Sequence, residues 1–147
     1  MSFFAIATLS DASLAQCRAS RYSEGVSNAG QSYDASLKAF GPRAGLTGGV
    51  AHTLATCLID VNRLEEASKL LREIDTKAVA QLTGFPDWGA NVALSQAEIA
   101  YREGDYTAAR KFVESAAPIL TRPDAEPYQK HALETLKNAI GKHLARK

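Results

Sequence analysis

The sequence is poor in the residues that usually build chemical sites. It has two cysteines, one methionine, one tryptophan and three histidines in 147 residues. Two cysteines are too few for a disulfide framework or a cysteine-rich zinc site. Cys17 and Cys57 fall at apolar positions of predicted helices. They are expected as buried free thiols packed as small hydrophobes, with a single Cys17–Cys57 bridge as the alternative. His52, His131 and His143 lie on different predicted helices, and neither His-Glu-x-x-His nor Cys-x-x-Cys occurs. His52 and Cys57 are five residues apart, a separation that points them to different helix faces. Gly45-Leu46-Thr47-Gly48-Gly49 lacks the preceding strand and the Lys-Ser/Thr ending of a phosphate loop, so it reads as the start of a helix. No catalytic residue, metal ligand or cofactor is assigned, and an enzyme is the weakest reading.

Charge excess is also missing. With 17 basic and 16 acidic residues the net charge is +1, far from the one-sided basic surface that phosphate neutralisation requires. No nucleic-acid partner is expected. The basic tail Lys142–Lys147 sits at the end of the last predicted helix, where cations complement the macrodipole. Long apolar runs are absent too. Met1–Leu9 is apolar but much shorter than the ~18 residues of a membrane span, and it has no positively charged lead-in. It is read as the start of the first helix, with a signal peptide ending near Ala15 as the alternative. No membrane insertion is expected.

What is present is helical periodicity punctuated by Gly and Pro. Helices are predicted over 2–20, with Phe4, Leu9, Leu14 and Cys17 as the buried stripe, and from Arg21 to about Phe40. The second carries Tyr22, Val26, Ala29, Tyr33 and Leu37 at helical spacing, with Gly25 at a close crossing. Gly41-Pro42 ends it. Thr47 is the expected N-cap of a helix ending near Val61-Asn62. Leu64 to about Ile74 follows, then a short piece over Ala78–Leu82. Thr83–Trp88 is a break in which Asp87 caps the next helix and Phe85 and Trp88 pin the loop to a neighbour. Helices over Trp88–Glu103 and Tyr106–Leu120 come next. The last starts at Asp124 with Pro127 in its first turn, and its stripe is Tyr128, Ala132, Leu136, Ile140 and Leu144.

The pattern repeats without a gap every 42 residues. Ser20, Asn62 and Gly104 occupy the turn, and Tyr22, Leu64 and Tyr106 the large position after it. Gly25, Ala67 and Ala109 are small, as are Ser13, Ala55 and Ala97 on the preceding helices. Ala29, Leu71 and Val113 come next, then Ser32, Ile74 and Ala116, while Cys17, Ile59 and Tyr101 correspond. Large-then-small order at fixed offsets lets successive helix pairs stack through one repeated surface.

On these residues the chain resembles the tetratricopeptide repeat (TPR) family. Ala97, Gly104, Asp105, Tyr106, Ala109 and Ala116 match the motif best, and Leu54, Ala55, Leu64, Ala67 and Ile74 match it in the preceding copy. The family's usual period is about 34 residues. A period of 42 resembles the longer kinesin-light-chain-like repeat, as does Phe40-Gly41-Pro42. The resemblance implies an all-α helical-repeat solenoid spanning 1–147 as one domain. It would comprise a degenerate repeat over about 6–40, repeats over about 47–82 and 87–120, and a capping helix over about 124–146.

It also implies a concave groove lined by the first helix of each pair. The groove positions would be Ser10, Asp11, Leu14, Cys17 and Arg18 in the first repeat, and His52, Thr53, Thr56 and Asp60 in the second. Asn91, Leu94, Ser95, Glu98, Tyr101 and Arg102 would follow in the third. The family's Lys/Asn/Arg clamp for a peptide C-terminus is not present, and Glu98–Arg102 also reads as an ordinary i,i+4 pair. The expected function is non-catalytic binding of a protein or peptide, serving assembly or signalling. The alternatives are a sensor module binding a small ligand, such as the C-terminal part of a bacterial kinase or winged-helix regulator, and self-association into a homodimer through the Met1–Leu9 end. A cytoplasmic location is expected, with the periplasm as alternative.

Overall fold

The computed structural model of the chain describes residues 1–146, so Lys147 of the basic tail lies outside the described residues. The described residues form eight helices: α1 Phe3–Arg18, α2 Tyr22–Phe40, α3 Gly45–Asp60, α4 Leu64–Glu73, α5 Thr76–Thr83, α6 Trp88–Arg102, α7 Tyr106–Leu120 and α8 Pro127–Ala145. They divide into two compact units, Met1–Pro86 and Asp87–Lys147. In the first, α1 and α2 form a hairpin, α3 packs against both arms, and α4 and α5 pack on α3. In the second, α6 and α7 form a hairpin and α8 packs against both arms. Each unit thus places the next helix in the groove of a preceding pair.

The 42-residue period is written into the backbone. Ser20, Asn62 and Gly104 are all left-handed, with φ of 63°, 64° and 81°. After each, an N–H donates to the carbonyl five residues back: Arg21 to Gln16 at 2.8 Å, Arg63 to Leu58 and Asp105 to Ala100 at 2.9 Å. The left-handed residues themselves donate to Cys17, Ile59 and Tyr101. This is the Schellman termination, in which a left-handed residue lets two orphan carbonyls find partners. Glycine adopts that conformation freely, asparagine tolerates it, and serine does so at a cost of roughly 1–2 kcal/mol. Ser20→Gly is therefore expected to stabilise the chain by about 1 kcal/mol, Asn62→Gly by less, and Gly104→Ala to destabilise it by about 1 kcal/mol. Urea midpoints measure all three, and a destabilised Ser20→Gly would contradict this account of the turn.

Small residues set the interior of the first hairpin. α1 buries Ile6, Ser10, Ser13 and Cys17, and α2 buries Gly25, Ala29, Ser32 and Ser36. This corrects the expected stripes. Phe4 is 80% exposed, Leu9 and Leu14 are half-buried, Tyr22 and Leu37 are exposed, and Val26 and Tyr33 are half-buried. Close approach of two backbones excludes large side chains from the seam, and the serines fit because their hydroxyls are satisfied locally. Ser13 donates to the Leu9 carbonyl at 2.6 Å and Ser32 to the Asn28 carbonyl at 3.0 Å. Ser36 pairs with Thr47 at 2.8 Å. Thr47 is thus a buried residue inside α3 and not its N-cap; Ala44 holds the cap position without a side-chain bond.

The cysteines are also corrected. Cys17 and Cys57 form a disulfide linking α1 to α3, with an S–S distance of 2.10 Å and a Cα–Cα distance of 5.6 Å. Both residues are buried. The helices α1 and α3 approach closely enough there for the two side chains to bond within one interior seam.

The second repeat departs from a simple hairpin, because the segment following Asn62 breaks at Ile74-Asp75. Asp75 caps α5 by accepting from the Ala78 N–H at 3.1 Å. α5 then lies tight on the glycine-rich first turn of α3. A Cβ on Gly48 would stand 2.5 Å from Val79 Cγ2 and 3.2 Å from Ile74 Cγ2. Gly45 and Gly48 thus serve helix packing, whereas a Cβ on Gly49 would meet nothing within 4 Å.

In the second unit the core is Ala90, Leu94, Ala97, Ala109, Val113, Ala116, Leu120, Leu133, Leu136 and Ile140. Leu136 and Ile140 lie on the expected α8 stripe with Leu144 partly buried, but Tyr128 is 52% exposed and Leu133 is fully buried in its place. α8 starts one turn into the chain after Asp124: Glu126 is its N-cap and Pro127 its first residue. Asp87 stands at the α6 N-cap position but makes no side-chain cap bond there, accepting from Arg122 at 2.9 Å. Phe85 is 69% exposed and does not pin the loop, whereas Trp88 is half-buried.

Candidate functional site

The expected groove residues fall on two helices, one in each unit. On α3, His52, Thr53 and Thr56 are half-buried and Asp60 is exposed. Their spacing gathers them on one side of the helix. Thr56 donates its hydroxyl to the His52 carbonyl at 2.9 Å. With Cys57 bonded to Cys17, it offers no thiol to His52. In the first repeat Ser10 and Cys17 are buried, which removes them from an open surface, while Asp11 and Arg18 are exposed and Leu14 is half-buried.

On α6 the six residues also share one side. Asn91, Ser95, Glu98 and Tyr101 are half-buried and Arg102 is exposed, but Leu94 belongs to the unit's core. Leu94 lies at the edge of the stripe, where the α6 surface turns in toward its neighbours. Glu98 accepts from Arg102 Nε at 2.8 Å, with about a third of each side chain exposed. That bond fixes both side chains and neutralises the middle of the face.

Tyr101 is held by rings. Its centroid lies 5.5 Å from that of Tyr106 on α7 and 5.6 Å from that of His143 on α8. Tyr106 and His143 stack at 4.2 Å with 12° between planes. Such ring pairs contribute about 0.5–1.5 kcal/mol beyond their buried area, so the α6 C-terminus, the α7 N-terminus and the α8 C-terminus are fixed together. Beside this cluster is an open concavity of about 470 Å³, lined by Tyr101, Thr135, Asn138, Ala139, Lys142, His143 and Arg146. Sequence reasoning assigned Tyr101 to this region but missed the α8 residues. Their signal was there: 135, 138, 139, 142, 143 and 146 step by three and four along one side of a helix.

Elsewhere, the Tyr33 phenol is raised above its ordinary value by burial first, then by the Glu73 and Asp34 carboxylates. Among the described residues no group of three His, Cys, Asp or Glu is placed to hold a metal ion. No helix among them is long and apolar enough to cross a membrane. Comparison with protein-family models, with curated proteins and with solved structures finds no match to this chain.

Proposed function

We propose that the chain is a TPR-like helical-repeat array that binds a protein or peptide on the face formed by its first helices. The observation that carries this reading is the recurrence of one turn geometry at Ser20, Asn62 and Gly104. Turns of one geometry at a fixed period are a mark of helix pairs built to stack on their neighbours as repeats. Within the first unit the candidate face is that of α3, with His52, Thr53, Thr56 and Asp60, and within the second that of α6, with Asn91, Ser95, Glu98, Tyr101 and Arg102. A mixed polar face with a fixed tyrosine and arginine suits peptide recognition, in which a few anchored groups supply most of the energy. The disulfide belongs with an oxidising compartment, so the periplasmic alternative takes precedence over the cytoplasm.

The test is a photocrosslinking residue placed at position 56 or 95, with position 111 on α7 as control, in lysate of the source cells. A discrete protein adduct is expected from 56 and 95 and not from 111. Equal labelling from all three positions would remove the groove reading.

Self-association is the second reading, favoured by the exposed apolar end of the first unit. Phe3 meets Phe4 at 5.9 Å and Phe40 at 6.2 Å between ring centroids, while Met1 is 65% exposed. Exposed apolar clusters mark interaction surfaces. Light scattering decides it: a monomer at high concentration excludes this reading.

A further inference from the structure

A second hollow, of about 550 Å³, lies in the first unit and is lined by Met1 and by Gln31, Asp34, Ala35, Lys38 and Ala39 of α2. The spacing of the five α2 residues gathers them on one side of the helix. That side faces away from the seam with α1, where Gly25, Ala29, Ser32 and Ser36 are buried. Asp34 and Lys38 are both exposed and stand four apart in the order that favours an ion pair. They form none among the described residues, although Glu98–Arg102 and Arg110–Glu114 do pair at the same spacing. The Asp34 carboxylate is felt by the neighbouring Tyr33 phenol, but no cation neutralises it.

The stripe thus carries one acid and one base a single turn apart, with uncharged residues around them, and such a pattern is complementary to itself. Across a two-fold axis, residue i of one copy meets residue j of the other, and j meets i. An axis at the level of Ser36 sets Asp34 against Lys38 of a second copy twice over when the two helices run antiparallel. Parallel helices would set Asp34 by Asp34 and Lys38 by Lys38, so the charges select the antiparallel arrangement. Ala35 and Ala39 have side chains short enough for the helices to approach. The hollow ends at Met1 and Ala39, next in sequence to the exposed Phe40, so this face runs into the apolar end of the unit. Exposed ion pairs contribute little affinity alone; here they set direction and register, while the apolar edge supplies the burial.

We infer that this side of α2 pairs antiparallel with the same side of a second copy through reciprocal Asp34–Lys38 ion pairs. The inference rests on the self-association reading above and names the surface and its geometry.

The experiment is sedimentation velocity on the full chain, with Asp34→Lys and Lys38→Asp made separately and together. The wild type is expected as a dimer. Each single reversal places like charges at both contacts and should weaken dimerisation about tenfold or more. Circular dichroism should not change, because both positions are exposed. The double reversal in one chain should dimerise like the wild type. An equal mixture of the two single variants should also dimerise, and native mass spectrometry with one of them isotope-labelled should find chiefly the heterodimer. A wild-type dimer that neither reversal weakens, or a mixture that yields no heterodimer, would overturn the inference and leave self-association standing through another part of the apolar end. A wild type that stays monomeric at high concentration would remove both and leave the hollow to a different partner.

Discussion

Replacing Cys17 and Cys57 together by alanine is expected to destabilise the Met1–Pro86 unit by about 4 kcal/mol, from the loop-closure entropy that a bridge of this span removes from the unfolded chain. The sequence separation across the bridge is 40 residues. Against a typical total stability of about 5–15 kcal/mol, this is among the largest effects available to one side-chain pair. Alanine keeps the seam apolar and narrow, so the loss reports mainly the missing link. Cys57 is fully buried and Cys17 nearly so. Reductant should therefore act only as fast as the hairpin opens, and reduction should be slow in buffer and fast in urea. Gly25 gives a second readout, because a Cβ there would fall on Cys17 Sγ and lie 3.1 Å from the Ser13 carbonyl oxygen. Gly25→Ala should cost less in the Cys17→Ala/Cys57→Ala background than in the wild type. The difference is a coupling energy that chemical denaturation of the four proteins measures directly. If the double-alanine protein and the wild type unfold at the same urea concentration, with and without reductant, the bridge contributes nothing.

Ala97→Pro should unfold the second unit. Proline in mid-helix loses the bond to the carbonyl of Ala93 and drives its ring into that carbonyl, at about 3 kcal/mol or more. Ala97 is also fully buried in the core shared by α6, α7 and α8, so the kink cannot relax outward. A unit of this size has little stability in reserve, since small domains bury a low fraction of their surface. The expected result is lost ellipticity matching α6, α7 and α8, together with a lower first melting transition. Hydrogen exchange in α7 and α8, which share this core, would register the damage as lost protection. Unchanged helicity and melting in this variant would contradict the repeat reading.

The sequence alone determined the helical class, the turn positions and the period. These are local properties: a left-handed residue after a helix, a proline after a glycine and apolar steps of three and four depend on near neighbours in the chain. For that reason Ser20, Asn62 and Gly104 were legible as equivalents, and α7 falls on Tyr106–Leu120 as expected. Most of the small buried positions were legible as well, since Ser13, Ala55 and Ala97 and then Gly25, Ala67 and Ala109 are all interior. Tertiary structure decided the rest. Hydrophobicity favoured Phe4, Leu9 and Tyr22 for the interior, yet the backbones of α1 and α2 approach so closely around Gly25 and Ser13 that small side chains fill the seam there. Serine, with the carbonyl four residues back as partner at Ser13 and Ser32, displaced them. The bond between Cys17 and Cys57 depended on where α3 lies against α1, and no local rule places two residues 40 apart. The concavity was hidden for the same reason. Its α8 stripe reads in sequence as a basic helix end, and only the packing of α8 against Tyr101 and Tyr106 gathers it around one hollow.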